Sequence, residues 1–413
     1  DIFIAAFLGA GIFSDIFIIA FKLPNLFRRI TAEGALTSAF LPIYSKLKIQ
    51  NGDTFAFFYF KNVFYRVSIS LFAIMILFQI IMPFLVQFLA PGFLNNEQVI
   101  NQITTLSRIT IIFMPLISIV ALLGVVTNVS GKFWILAFTP TILNSSIILG
   151  CFFINDYWAI KALPLAVATV LGGFVQIIFV VIMIKKLKIF KFNFLDNNAH
   201  YKKDKNQIKF QINRTWQKFL PAAFGGGILQ INLLVDTILA SLLGFGSISY
   251  LYFADRIAQL PLGIIGIALG TTLLTSLSKS NATRDANQFS KEMIISFKIG
   301  LFFSIPATLV FVNFSDLFIK VLFERGEFSY QETIQTSHAL LAYAFGIPAF
   351  ILLKSCQPAF LAEGNTKTPM YIGLILLILN IILSFVLMSF LRHAGIALAT
   401  SIVSWIGTII YIT

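Results

Sequence analysis

Two cysteines and three histidines in 413 residues leave little from which to build a catalytic or metal centre. Cys151 and Cys356 lie far apart, within or at the ends of apolar segments and without metal-ligand spacing, so they read as packing residues. His200 stands in a polar stretch, and His338 and His393 fall near predicted helix ends. No cluster offers general acid–base or metal chemistry, and the chain is read as a non-enzyme with no catalytic residues and no certain metal ligands. Charge is scarce as well. Only 11% of residues are Asp, Glu, Lys or Arg against 58% hydrophobic, which excludes an ordinary soluble domain. The net charge of +13 would suggest nucleic acid in a soluble protein. Here the basic residues sit between apolar runs, where they orient helices and touch anionic headgroups, so the partner is the bilayer and not nucleic acid.

What the sequence does have is long apolar runs. Beyond an opening helix pair, spans are predicted at about 62–90, 106–128, 134–154, 159–184, 219–243, 249–277, 293–321, 333–359, 369–390 and 394–413. The fold class is therefore an all-α polytopic membrane protein of about twelve transmembrane helices. The run from Ile2 to Phe13 is too short to cross a bilayer, so the first helix is expected to be truncated. Lys46, Lys48, Lys132, Lys279, Arg284, Lys291 and Lys367 fall on one side of the alternation together with 185–218, which makes that side cytoplasmic. Segment 185–218 is the only long polar stretch. It predicts an N-terminal lobe over 1–184, a cationic cytoplasmic linker on anionic lipid over 185–218, and a C-terminal lobe over 219–413.

The stretch from Ser14 to Lys46 is apolar enough to enter a bilayer yet carries Asp15, Lys22, Arg28, Arg29 and Glu33. Ionisable groups at membrane depth cost several kcal/mol and usually face a water-filled cavity; interfacial anchors that snorkel are the alternative. On an ideal helix Asp15, Lys22, Arg29 and Glu33 share a face and Arg28 lies roughly opposite, but Pro24 can upset that register. Asp15 has a second reading as the N-terminal cap of its own helix.

The two halves resemble each other. The run Asp1 to Gly11 (DIFIAAFLGAG) aligns without gaps on Asp236 to Gly246 (DTILASLLGFG), and Lys22-Leu-Pro24 answers loosely to Arg256 through Pro261. Six helices per half would make a parallel repeat, which in transporters places the substrate path between halves that rock in alternating access.

SDIFIIAFKLPNLFRRITAEGALTSAFLPIYSK at 14–46, APGF at 90–93, YFADRIAQLPLGIIGIALGTTLLTSLSK at 252–279 and NTKTP at 365–369 carry a resemblance to the MurJ (MviN) lipid II flippase family of the MOP exporter superfamily. The resemblance covers essentially the whole chain. It implies two six-helix lobes around a charged cavity, the family's last two helices being absent here. It also implies movement of an undecaprenyl-pyrophosphate-linked disaccharide pentapeptide from the inner to the outer leaflet of the bacterial cytoplasmic membrane, by a monomer without a cofactor. The family's motif arginines match Arg28 and Arg256; Arg29 is the fallback for Arg28, and Lys22 is read beside them as a pyrophosphate ligand. The family's cavity aspartate matches Asp15, and Asp1 matches the acid of an Arg-Asp pair; Asp15 and Glu33 are read as cavity or gate carboxylates that pair with Lys22 and the arginines. Where several members carry an acid after the second arginine, this chain has Gln259.

Guanidinium forks match phosphate oxygens and stay ionised at any depth, which agrees with this cargo. Export of another polyprenyl-linked oligosaccharide stays open. A drug or cation antiporter would want a net acidic cavity, against Lys22, Arg28 and Arg256. The resemblance also implies a cation site on Asp236, Asn380, Ser384 and Thr400, with Ser384 where a second carboxylate would be wanted. Coupling to sodium, to protons or to the membrane potential stays open.

Overall fold

Backbone polar groups in a bilayer must be satisfied within their own segment, so apolar runs of this length form helices. In a computed structural model of the chain, residues 1–29, 36–155, 157–190, 205–282, 285–362, 365 and 367–412 are described. Every regular element among them is helical. The first half contains α1 (Ile2–Leu8), α2 (Ile12–Phe27), α3 (Leu36–Leu89), α4 (Glu97–Thr110), α5 (Phe113–Val129), α6 (Phe133–Cys151) and α7 (Leu163–Lys186). The second contains α8 (Lys205–Ser241), α9 (Ser247–Pro261), α10 (Ile267–Ala282), α11 (Ala286–Phe323), α12 (Tyr330–Ala344), α13 (Ile347–Ala362), α14 (Lys367–Leu391) and α15 (His393–Ile412).

Several boundaries differ from the sequence expectation for identifiable reasons. α3 is two helices joined at Gly52, whose φ of 83° breaks the spiral. α8 begins at Lys205, so residues 205–218 of the expected linker are helical. Among the described residues, eight helices are long and apolar enough to cross a membrane, or nine if α12 and α13, bent by 45°, form one span. α1 has 7 residues and α2 has 16, each below spanning length alone.

The chain forms two compact units, Asp1–Asp15 with Leu89–Asn95 and Ile231–Thr413, and Ile16–Phe88 with Asn96–Gln230. In the first, backbones approach closely through glycine, as membrane helices do when small residues line their contacts. A Cβ on Gly326 (φ 61°) would stand 2.1 Å from the Ala6 carbonyl oxygen, and the next residue, Glu327, donates its N–H to that oxygen at 2.8 Å. A Cβ on Gly92 would meet the Ser241 carbonyl oxygen at 2.0 Å. Phe253, Phe323 and Phe328 pack ring against ring, and the Ser401 hydroxyl ties α15 to the Ala342 carbonyl of α12 at 2.7 Å.

The second unit uses the same devices. Thr110 donates to the Ala20 carbonyl at 2.6 Å and Gln176 to the Thr139 carbonyl at 2.7 Å, joining α4 to α2 and α7 to α6. Phe40 and Tyr59 stack across the two arms of α3 at 5.5 Å. Cys151 and Cys356 are buried free thiols.

Candidate functional site

The internal repeat is visible in the backbone. Gly9 (φ 68°) ends α1, and Gly244 (φ 97°), its counterpart in the gap-free alignment, follows α8. Only glycine takes this region without strain, so the two Gly-x-Gly runs are turn signals at matching places.

Asp15 lies in the first turn of α2, fully buried. Its carboxylate does not cap α2. Instead Oδ2 accepts the N–H of Gly246 at 2.6 Å, and Oδ1 accepts the N–H of Ser249 at 2.8 Å and the Ser249 hydroxyl at 2.5 Å. Gly246 is the left-handed N-cap of α9 and has no side chain to offer, so the acid that completes this helix start comes from α2. Among the described residues Asp15 forms no ion pair. The neighbouring turn is closed the same way: Glu332 Oε1 accepts the Ala10 N–H at 2.9 Å.

Seven residues along α9 from Ser249, half-buried Arg256 holds its Nε 3.5 Å from Asp1 Oδ2 and its guanidinium 4.6 Å from the centre of the Tyr252 ring. Tyr252 donates its hydroxyl to Asp1 Oδ1 at 2.8 Å. The Arg256 Nε nevertheless has no hydrogen-bond acceptor among the described residues. One residue before it, Asp255 accepts a short hydrogen bond from the Gln259 amide, which ties Gln259 to a carboxylate one turn back. After Pro261 the backbone opens into a π-helical segment over Leu262–Gly266, a geometry frequent at functional sites.

In the other unit, α2 ends at Phe27, and Arg28 and Arg29 stand in a π turn. The ideal 3.6 register that set Arg28 opposite Asp15 therefore stops short of both arginines. Arg28 donates Nε to the Asn25 side-chain oxygen at 3.0 Å, and Lys22 and Arg29 are half-buried. Glu33 lies outside the described residues.

The set expected to hold a cation is assembled but arranged otherwise. The Asn380 amide nitrogen donates to Asn232 Oδ1 at 2.8 Å and to Asp236 Oδ1 at 3.1 Å, and Thr400 Oγ1 lies 3.4 Å from Asn380 Oδ1. Ser384, fully buried, has no partner for its hydroxyl among the described residues. The oxygens of Asp236 and Asn232 thus converge on an N–H group, where a hard cation needs an open centre ringed by oxygen. As arranged here, these residues form a hydrogen-bonded cluster that holds one carboxylate.

Ser249, Tyr252, Asn232 and Glu332 went unpredicted. Ser249 and Tyr252 precede Arg256 by seven and four residues, a helical spacing that puts all three on one side of α9 and could have nominated them. Lys354 on α13, exposed beside Gly266 and Gly270, had no partner motif to mark it.

The chain matches the family model described as "Lipid II flippase MurJ" over residues 4–413. It is 38% identical over 404 residues to the probable lipid II flippase MurJ of Rickettsia prowazekii (strain Madrid E), covering 98% of this chain and 77% of that one. It is 31% identical over 418 residues to that of Vibrio cholerae serotype O1 (strain ATCC 39315 / El Tor Inaba N16961), covering 98% and 77%. A solved structure of lipid II flippase MurJ in an inward closed conformation superposes with a TM-score of 0.81 at 27% identity, covering 100% of this chain and 83% of that one. An inward-facing multidrug resistance MATE family transporter of the MOP superfamily superposes at 0.79 with 11% identity, covering 99% and 90%, and shares the fold.

Proposed function

The chain belongs to the lipid II flippase MurJ family, and from that premise we propose that it moves lipid II from the inner to the outer leaflet of the bacterial cytoplasmic membrane for cell-wall synthesis. The observation that carries this reading is the family match over residues 4–413, nearly the whole chain. The cargo is an anion, and arginine is the side chain suited to hold its pyrophosphate, because the guanidinium is planar, permanently charged and matched to two oxygens at once. Arg256 is the stronger member of the proposed pair. Its charge is balanced by Asp1 at 3.5 Å and oriented by Tyr252, and its Nε has no hydrogen-bond acceptor among the described residues. Arg28 is the proposed ligand from the other half of the repeat, with Lys22 and Arg29 alongside. In cells depleted of their own flippase, this chain is expected to restore growth and exposure of lipid II at the outer surface, read by a lipid II-cleaving colicin or by labelling of the outer leaflet; growth without restored exposure would overturn the reading.

The Asp236 cluster bears on coupling. Because its oxygens surround the Asn380 amide, we propose that transport does not require sodium. Flipping measured with and without sodium at a fixed membrane potential is expected to be equal within error. A loss of several-fold on removing sodium, abolished by Asp236→Asn, would restore the cation site.

A further inference from the structure

A cavity of about 170 Å³ opens in the second unit where the first arm of α3 meets the start of α8. That is several times the ~30 Å³ a water occupies in the liquid. From α3 it is lined by Lys46, Gln50 and Asn51, one turn apart and leading into the Gly52 bend. From α8 it is lined by Gln207, Gln211, Arg214 and Lys218, whose spacings of four, three and four put them on a single helix face. Three cations and four amides thus converge, and among the described residues no carboxylate lines the space. Asp53, just past the bend, sits 4.0 Å from Lys48 Nζ instead. Among the described residues Lys46, Arg214 and Lys218 form no ion pair. The site is held in shape from the flank: Tyr59 on the second arm of α3 is hydrogen-bonded to Thr215 of α8 at 2.5 Å, and Ile208 and Ile212 beside it on α8 are buried.

Like charges gathered without a counter-ion repel each other, so such an arrangement lasts best when an anion occupies it. Amide and cationic donors together suit phosphate oxygens. The surroundings choose the source. At about 1.5 Å per residue, the 37 residues of α8 run roughly 55 Å, longer than the roughly 30 Å hydrocarbon core, so its cationic start projects into the headgroup layer. Pro42, Ile43 and Leu47 form an apolar wall to the cavity, while Ile49 (83% exposed) and Phe210 (64%) present large apolar side chains on the same two helices. A soluble anion has no use for them, whereas acyl chains do.

We propose that this cavity binds the phosphate headgroup of an anionic membrane lipid of the cytoplasmic leaflet, fastening the start of α8 to the α3 bend. This goes beyond the transport reading, since it concerns a resident lipid and not the cargo, and it stands whether or not the chain flips lipid II. The test is retention of added lipid by the purified full chain in native mass spectrometry, phosphatidylglycerol against phosphatidylcholine. The parent is expected to prefer phosphatidylglycerol, and the triple variant Lys46→Gln/Arg214→Gln/Lys218→Gln to lose at least about tenfold in that preference. Lys291→Gln, an exposed cation on α11, is expected to keep it. If the triple variant does not purify folded, Arg214→Gln and Lys218→Gln singly, both at exposed positions, each carry a share of the loss. No preference in the parent, or an undiminished one in the variants, overturns the proposal. So does displacement of the lipid by millimolar inorganic phosphate or diphosphate, which would make this a site for soluble anions.

Discussion

Replacing Arg256 with alanine is expected to abolish rescue of flippase-depleted cells while the protein still accumulates in the membrane. The guanidinium is the permanent positive charge on α9, and its removal takes from Asp1 the cation that stands 3.5 Å away. Losing a charge-assisted hydrogen bond to an anionic cargo costs about 1.5–3 kcal/mol, roughly tenfold to a hundredfold in affinity. Arg256→Lys should recover part of this at most. An ammonium restores the charge but not the planar fork, and it sits less well over the Tyr252 ring. Quantitative growth rescue beside immunoblotted membrane fractions is the measurement. Full activity of Arg256→Ala would remove Arg256 from the cargo path, and equal activity of lysine and arginine would remove the fork.

Asp15 carries the second large effect. Asp15→Ala leaves two backbone N–H groups at the start of α9 and the Ser249 hydroxyl without their acceptor. Each buried donor so orphaned costs about 1–3 kcal/mol, so a loss of several kcal/mol and a clear fall in Tm are expected. Asp15→Asn tests the charge with the shape kept: its single oxygen can serve only one of the two N–H groups, and its NH₂ turns a donor toward the other. It should also fall in Tm and lose transport. Ser249→Ala, which removes one of three bonds, should cost about 1 kcal/mol. Differential scanning fluorimetry of the three variants, read beside rescue, separates the outcomes. A parent-like Tm and full transport in Asp15→Asn would show that the charge at this position does nothing for either.

Much of this was legible in the chain. Apolar run lengths gave the helical membrane class, and the motif blocks gave the family. The gap-free match of Asp1–Gly11 to Asp236–Gly246 anticipated turns that the left-handed Gly9, Gly244 and Gly246 now display. What stayed hidden was the identity of partners distant in sequence. Asp15 had two candidate roles on paper, a cap for its own helix or a partner for a cation in some states of the cycle, and the donor it meets here is a helix start more than two hundred residues away. Periodicity cannot report that. Nor could it place Arg28 and Arg29, since a register argument presumes a helix that continues, and α2 ends at Phe27. The Asn380 cluster was found as a set of oxygens on three helices; the inward turn of its amide nitrogen is a matter of side-chain placement, to which sequence is blind.

One carboxylate described above is shared between two jobs. Glu332 Oε2 accepts the Ser329 N–H at 2.8 Å and so completes the capping box of α12, while Oε1 accepts the Ala10 N–H in the turn that follows α1. Each of its two oxygens serves one client. If the α1–α2 turn moves away, Glu332 must either follow it and abandon the first turn of α12, or stay and leave Ala10 unserved. The two ends are therefore yoked: neither loosens at its own free energy, and each holds the other's lifetime, like two doors hung on one pin.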